Sequence, residues 1–247
     1  MQTFDRAKPS RSSAFIRSKK AEKQYQRQLL KVARHVGEIV ARLRGSLDAT
    51  GTIIAALERY AKAVEPWATA VGARIVAEVD ARDKVAWRTV GEEISAGLRR
   101  ELQNAPTGAV ARSLVEEQVT LIKSLPLEAA QRVQSLAMEA WTGGKRTDDI
   151  IAAIMDTGNV TASRARLIAR TEIGRCAEAF TEARATSIGS EGYIWRTSKG
   201  KDVRHSHAGM EGKFVRWDSP PTLDGLRGHA GALPNCQCYP EPVFPVA

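Results

Sequence analysis

A chain of 247 residues with 43% hydrophobic and 26% charged side chains has an ordinary globular composition and room for one large or two modest domains with a real core. No run of 18 apolar residues is present, which argues against a transmembrane helix, and the opening MQTFDRAKPSRSS lacks the apolar segment of a secretory signal. The net charge of +9 is confined to one end: residues 1–44 carry twelve Lys/Arg against three Asp/Glu, and the remainder is balanced at 25 against 25.

Residues 1–14 are polar and basic, with Pro9 and three serines, and are expected to be disordered. From Phe15 the pattern turns helical. Tyr25, Leu29, Val32, Val36, Ile39 and Leu43 repeat at alternating spacings of four and three, an apolar heptad seam. A single helix with so narrow a stripe must bury it against another helix, in this chain or in a second copy, so self-association through the 25–43 seam is one expectation. Arg17, Lys19, Lys20, Lys23, Arg27, Lys31 and Arg34 lie on the other faces. Such a basic segment suits a polyanion through counterion release, or is simply a solvated helix face.

Gly45 and Gly51 bracket a break, and Asp48, Thr50 or Thr52 caps the next helix. Pro66 interrupts the following segment and places a helix start near Glu65. Another amphipathic helix covers 85–104 and ends before Ala105-Pro106. Helices at 108–124 and 126–141 are expected to be separated by Pro126, with a stop at Trp141-Thr142-Gly143-Gly144. A short helix follows from Thr147, ended by Thr157-Gly158-Asn159. Thr161 or Ser163 then caps a long helix over 162–188. Seven or eight helices therefore precede Gly189.

Beyond Gly189 the period changes. YIWRT, KFVRW and the tail YPEPVF are short aromatic and β-branched runs bounded by turn residues, which predicts a two- or three-stranded sheet against the end of the long helix. The fold class is mainly α, an elongated helical body followed by a small α+β module with irregular Pro/Gly-rich loops. The expected divisions are 1–14, a helical domain over 15–158, and a module over 159–247. The tryptophans at 67, 87, 141, 195 and 217 are expected to be packing anchors rather than base-stacking platforms.

Three of the four histidines (His205, His207, His229) and two of the three cysteines (Cys236, Cys238) fall in this module. Three cysteines do not make a disulfide framework, and a C-x-C pair in a reducing cytoplasm reads as a metal half-site or two free thiols. A structural zinc site is the sharpest reading: Cys236, Cys238 and His207, with His229 or His205 as fourth ligand. The motive is that a small irregular module lacks apolar surface, so metal binding becomes folding free energy. The alternative is that the cysteines are small buried groups and the histidines hydrogen-bond within a turn. A catalytic reading would use Asp202, His205 and His207, with Asp202 or Glu211 as base. No H-E-x-x-H, deaminase, P-loop or G-x-G-x-x-G pattern supports it, so no enzymatic activity is expected.

The order of Trp195, Asp202, Arg204, His207, Gly212, then Asn235-Cys236-x-Cys238, resembles the C-terminal signature of the phage head morphogenesis family, the Mu F-like minor head proteins of tailed bacteriophages. Arg170, Thr171 and Glu172 in the preceding helix are similar to that family's A-R-T-E segment. His205 and Gln237 depart from the usual pattern. The resemblance covers residues 160–244. It implies a structural minor head protein at the portal vertex, facing the capsid interior of the virion and assembled in the host bacterial cytoplasm, and it assists head assembly and DNA packaging or ejection. Its implied partners are the portal protein, a scaffold or major capsid protein, and packaged DNA through the basic N-terminal segment. No membrane is implied. From the residues, Arg170 or Glu172 is expected to reach the backbone or Asp202/Arg204 of the module and lock helix to loop. A nucleic-acid-binding module and a metal-dependent nuclease or toxin-like hydrolase are the rival readings.

Overall fold

The computed structural model describes residues 15–43, 49–91, 96–142 and 147–243. The basic arm 1–14, the cap at Asp48 and the glycines of the stop at 143–144 lie outside them. Seven α-helices come first: α1 (Lys19–Leu43), α2 (Ala49–Ala63), α3 (Glu65–Gly91), α4 (Ala96–Gln103), α5 (Thr107–Thr142), α6 (Thr147–Met155) and α7 (Thr157–Ser187). Then follow β1 (Gly192–Arg196), the one-turn helix α8 (His205–Ala208), β2 (Phe214–Arg216), β3 (Thr222–Leu223), β4 (Leu226–Arg227) and β5 (Tyr239–Pro242). The protein is mainly α with a small C-terminal module of short antiparallel strands.

The chain packs as two compact units that are each discontinuous in sequence. One is built from residues 23–74 and 115–169. Its core joins Val36, Ile39 and Val40 of α1 to Ile53 and Leu57 of α2 and to Ala129, Ala130 and Val133 of α5. The heptad seam is therefore satisfied within the chain. Tyr25, Leu29, Val32, Val36 and Ile39 are all buried, so self-association through the seam, expected as one option, is overturned. Tyr25 donates its hydroxyl proton to Gln118 Oε1 at 2.8 Å in the same interior.

Two boundaries differ from the expected ones here. Helix α5 runs through Pro126 without a break. A mid-helix proline costs about 3 kcal/mol, but Ile122, Leu125, Ala129 and Val133 around it are all buried, and the packing of that face outweighs one lost hydrogen bond. Helix α7 starts at Thr157 rather than near Thr161, with Asp156 accepting from Asn159 Nδ2 at 2.8 Å and from its backbone N–H at 3.0 Å. Gly158, read as a stop, is instead a contact glycine: a Cβ there would come within 2.9 Å of Gly37 Cα.

The other unit has described residues 15–22, 75–91, 96–114 and 170–243. Ser18 caps α1 by accepting the Ala21 N–H at 3.1 Å. The three-stranded sheet has the order β2-β1-β5, antiparallel throughout. Tyr193 pairs with Val215 on one side and Pro242 on the other, and Trp195 with Pro240. Strand alternation turns Tyr193 and Trp195 to one face, where they join Trp87, Trp217, Ile188, Leu233, Cys236 and Cys238 in a single core. Trp87, Trp195 and Trp217 are thus packing anchors. A hairpin not anticipated from sequence, β3–β4, turns at Asp224-Gly225, both with positive φ (54° and 76°). That Asp-Gly pair between Leu223 and Leu226 is the sequence signal that could have found it.

Candidate functional site

The signature residues converge where the loop after β4 meets the start of α8 and the middle of α7. Arg204, at the N-terminal edge of α8, sends one guanidinium nitrogen to the Pro234 carbonyl and another to within 3.7 Å of Asp224. Its Nη1 also lies 3.4 Å from His207 Nε2. His207 is 2% exposed, beside Cys236 and Cys238 at 3% and 4%. Its Nδ1 stands 3.4 Å from Cys236 Sγ and 3.6 Å from Cys238 Sγ, and Trp195 packs edge-on against the imidazole at 5.6 Å.

The two sulfurs divide one charge. The Cys238 thiol donates to Cys236, whose sulfur also meets the backbone N–H groups of Gly231 and Cys238 and the nearby His207. Against the cost of burial, these hold the Cys236 thiol down to about 5. Hydrogen bonding to that thiolate, together with burial, pushes Cys238 up. The Trp195 indole N–H, buried and without a conventional acceptor, favours the ionised form of Cys238.

Whether this trio suits zinc depends on what the three side chains touch. The Nδ1–Sγ distances are near the roughly 3.6 Å edge of a zinc tetrahedron with two sulfur ligands and a nitrogen. The remaining surroundings do not suit the ion. A guanidinium can only donate, so at His207 Nε2 it requires a lone pair and leaves the ring proton on Nδ1, aimed at the sulfurs. A zinc-binding imidazole instead turns its second N–H to an acceptor. The fourth ligand is also missing among the described residues: His205 is exposed, and His229 belongs to a different group, with Glu178 and Glu182, whose ligand atoms lie within 4.8 Å of one another. Three of the four expected ligands, His207, Cys236 and Cys238, are brought within 4.8 Å of one another, and neither His229 nor His205 joins them as the fourth among the described residues.

The other predicted residues fall as follows. Asp202 and His205 are both exposed while His207 is buried, and they form no common ligand group among the described residues. Glu211 Oε2 accepts from the Thr197 N–H and hydroxyl, both at 2.6 Å, and its other oxygen lies 3.5 Å from Arg196. Arg170 pairs with Glu22 of α1 at 3.6 Å, and its carbonyl accepts from Arg17 at 2.6 Å. Glu172 is buried, with Arg175 at 3.4 Å. The hydrogen bond that ties α7 to the cysteine loop comes from the residue between them: the Asn235 N–H donates to Thr171 Oγ1 at 3.2 Å. Arg17 is no surface cation, since its side chain is 9% exposed and sits 3.2 Å from Glu22. Lys19, Lys20, Lys23, Arg27, Lys31 and Arg34 are exposed.

Sequence reasoning missed the glycine contact beneath the site. Gly231 takes φ +96°, and a Cβ on Gly174 of α7 would fall 2.5 Å from the Gly231 carbonyl oxygen. Helix and loop touch backbone to backbone there, which brings the Gly231 N–H to Cys236. A Gly in the middle of a helix, where it costs roughly 0.5–1 kcal/mol relative to Ala, was the available signal.

Fold and site together define a helical protein ending in a small β-module that is latched to its last long helix by buried cysteine and histidine side chains. Residues 131–240 match the family described as Phage Mu protein F like protein, a match that takes in α7 and most of the β-module, and over that span the chain is similar to a phage head morphogenesis protein. An uncharacterized protein of Haemophilus influenzae is 33% identical over 155 residues, covering 62% of this chain and 33% of that protein. The chain thus spans about a third of the length of that relative. No solved structure matches the chain. No helix among the described residues is long and apolar enough to cross a membrane.

Proposed function

We propose that this chain is a structural head-assembly component, associated with the portal protein at the inner face of the capsid, and that it carries out no catalysis. The observation that supports this most is the burial of the His207, Cys236 and Cys238 cluster. His207, Cys236 and Cys238 are 2–4% exposed, and their polar atoms meet one another, Arg204 and the Gly231 N–H. Neither of two clefts found among the described residues is lined by any of them. A nucleophilic cysteine or a hydrolytic metal needs an open face, and this cluster offers none. It is a latch, closed by a thiolate–imidazole hydrogen bond backed by a guanidinium, that holds the module in the shape its assembly partners read.

Co-expression with the portal protein of the same phage tests the placement. The intact chain is expected to co-purify with it, and a C236A/C238A variant to lose the complex. A portal that purifies alone in the presence of the intact, folded chain would refute it. Zinc content separates latch from metal site: replacing both cysteines should leave the zinc per chain unchanged.

The exposed cations of α1 support contact with packaged DNA. Lys23, Arg27, Lys31 and Arg34 follow one another at intervals of four, four and three, one helix face about 16 Å long. No carboxylate pairs with them among the described residues. Replacing all four by Gln should reduce the slope of log affinity against log salt by roughly 3–4 for duplex DNA, one increment of about 0.9 per lost phosphate contact. An unchanged slope in a salt titration would remove DNA from the list of partners.

A further inference from the structure

A second group of ligand-type side chains lies on the same long helix, apart from the latch. Glu178 and Glu182 stand one turn apart on α7, and His229 comes from the loop after β4; one ligand atom from each lies within 4.8 Å of the other two. Glu178 is 7% exposed, and its Oε1 is buried with no hydrogen-bond partner. A buried carboxylate oxygen that no donor meets is costly, by about 1–3 kcal/mol, and the cost is relieved either by a proton, which burial and the adjacent Glu182 favour on Glu178, or by a cation in the space in front of it. Glu182 and His229 are only half-buried, which leaves a path from solvent.

His229 is fixed beside the two carboxylates by its neighbours: its Nδ1 lies 3.2 Å from the Tyr193 hydroxyl, and that hydroxyl is itself held by the Ala230 N–H at 3.1 Å. Tyr193 and Trp217 both pack edge-on against the imidazole, with ring centroids 5.6 and 5.7 Å away.

The geometry points to a divalent cation site formed by Glu178, Glu182 and His229. One imidazole with two carboxylates suits a borderline first-row ion such as zinc, manganese or cobalt. Calcium wants six to eight oxygens, and magnesium holds several waters in an octahedron. The ion would cross-link α7 to the loop that leads to Cys236, a second fastening of the same module. The proposal is independent of how the latch is closed, since the two groups share no donor.

The test is the zinc content of the intact protein against E178Q/E182Q, both dialysed against zinc and then metal-free buffer, with all cysteines left in place. The wild-type chain is expected to retain about one zinc more than the variant, and zinc should raise the melting temperature of the wild type only. Equal zinc counts in the two folded proteins would overturn the site. Should circular dichroism show the double variant unfolded, H229Q replaces it in the same comparison. Cobalt gives the donor set: a wild-type complex free of the intense sulfur-to-cobalt absorption is expected. A sulfur band retained in the variant would place the metal on the cysteines instead, against the proposal.

Discussion

Asp83→Ala is expected to lower the unfolding free energy by about 3–5 kcal/mol, the cost of leaving a buried charge without its partner. Arg184 of α7 is 3% exposed; it donates to Asp83 Oδ2 and to Asp80 Oδ1, each at 2.5 Å. Thr181 donates to the other Asp83 oxygen at 2.6 Å. Phe180 lies under the guanidinium, 5.6 Å from its carbon. Burial pushes the Asp83 carboxyl up, opposed by Thr181 and Arg184, so the pair survives on its mutual geometry rather than on solvation. Denaturant unfolding gives the number. D83A/R184M should recover much of the loss, because a buried pair replaced by apolar groups is often neutral. A double variant as unstable as D83A would mean that the aspartate stabilises through something other than Arg184.

Gly174→Ala should cost about 2–3 kcal/mol, within the usual range for forcing extra atoms into a packed interior. The new Cβ would press on the Gly231 carbonyl, and Gly231 has little freedom to retreat at φ +96°. Its N–H is also committed to Cys236. The damage should therefore show chemically as well: Cys236 and Cys238, buried in the folded wild type, should be alkylated faster in the variant. Gly108→Ala is the control. It sits near the start of α5, where the nearest atom to a new Cβ is the end of Arg112 at 3.8 Å. The same chemical change is expected to stabilise by about 0.5–1 kcal/mol there. If both substitutions behaved alike, helix propensity rather than the helix–loop contact would be the cause.

Much of the molecule could be read from local pattern. The seam from Tyr25 to Ile39 announces a buried helix face, because a period near 3.5 has one meaning for an extended amphipathic segment. The strands at YIWRT and FVR stand out where aromatic and β-branched residues replace the helical period. The signature of Trp195, Arg204, His207, Cys236 and Cys238 was legible in its order, and the structure gathers its buried members at one point. The two misplaced helix boundaries share one reason. Pro126, expected to divide two helices, and Gly158, expected to help end one, follow from intrinsic preferences, and in both cases a neighbour overrides the preference: the apolar face around Ile122 and Leu125 in the first, the Gly37 backbone in the second.

The histidines mark the limit most clearly. Composition and spacing determined that this chain ends in a small module dense in thiols and imidazoles, and that it follows a long helical body. They also determined which residues could be ligands. Only the tertiary structure decided which imidazole faces which donor. It puts His207 with the sulfurs and the Arg204 fork, and His229 with Glu178 and Glu182. Ligand chemistry is written in residue types, whereas the tautomer and the donor set depend on atoms from α7 and the strands that lie dozens of positions away along the chain and a few ångströms away in space.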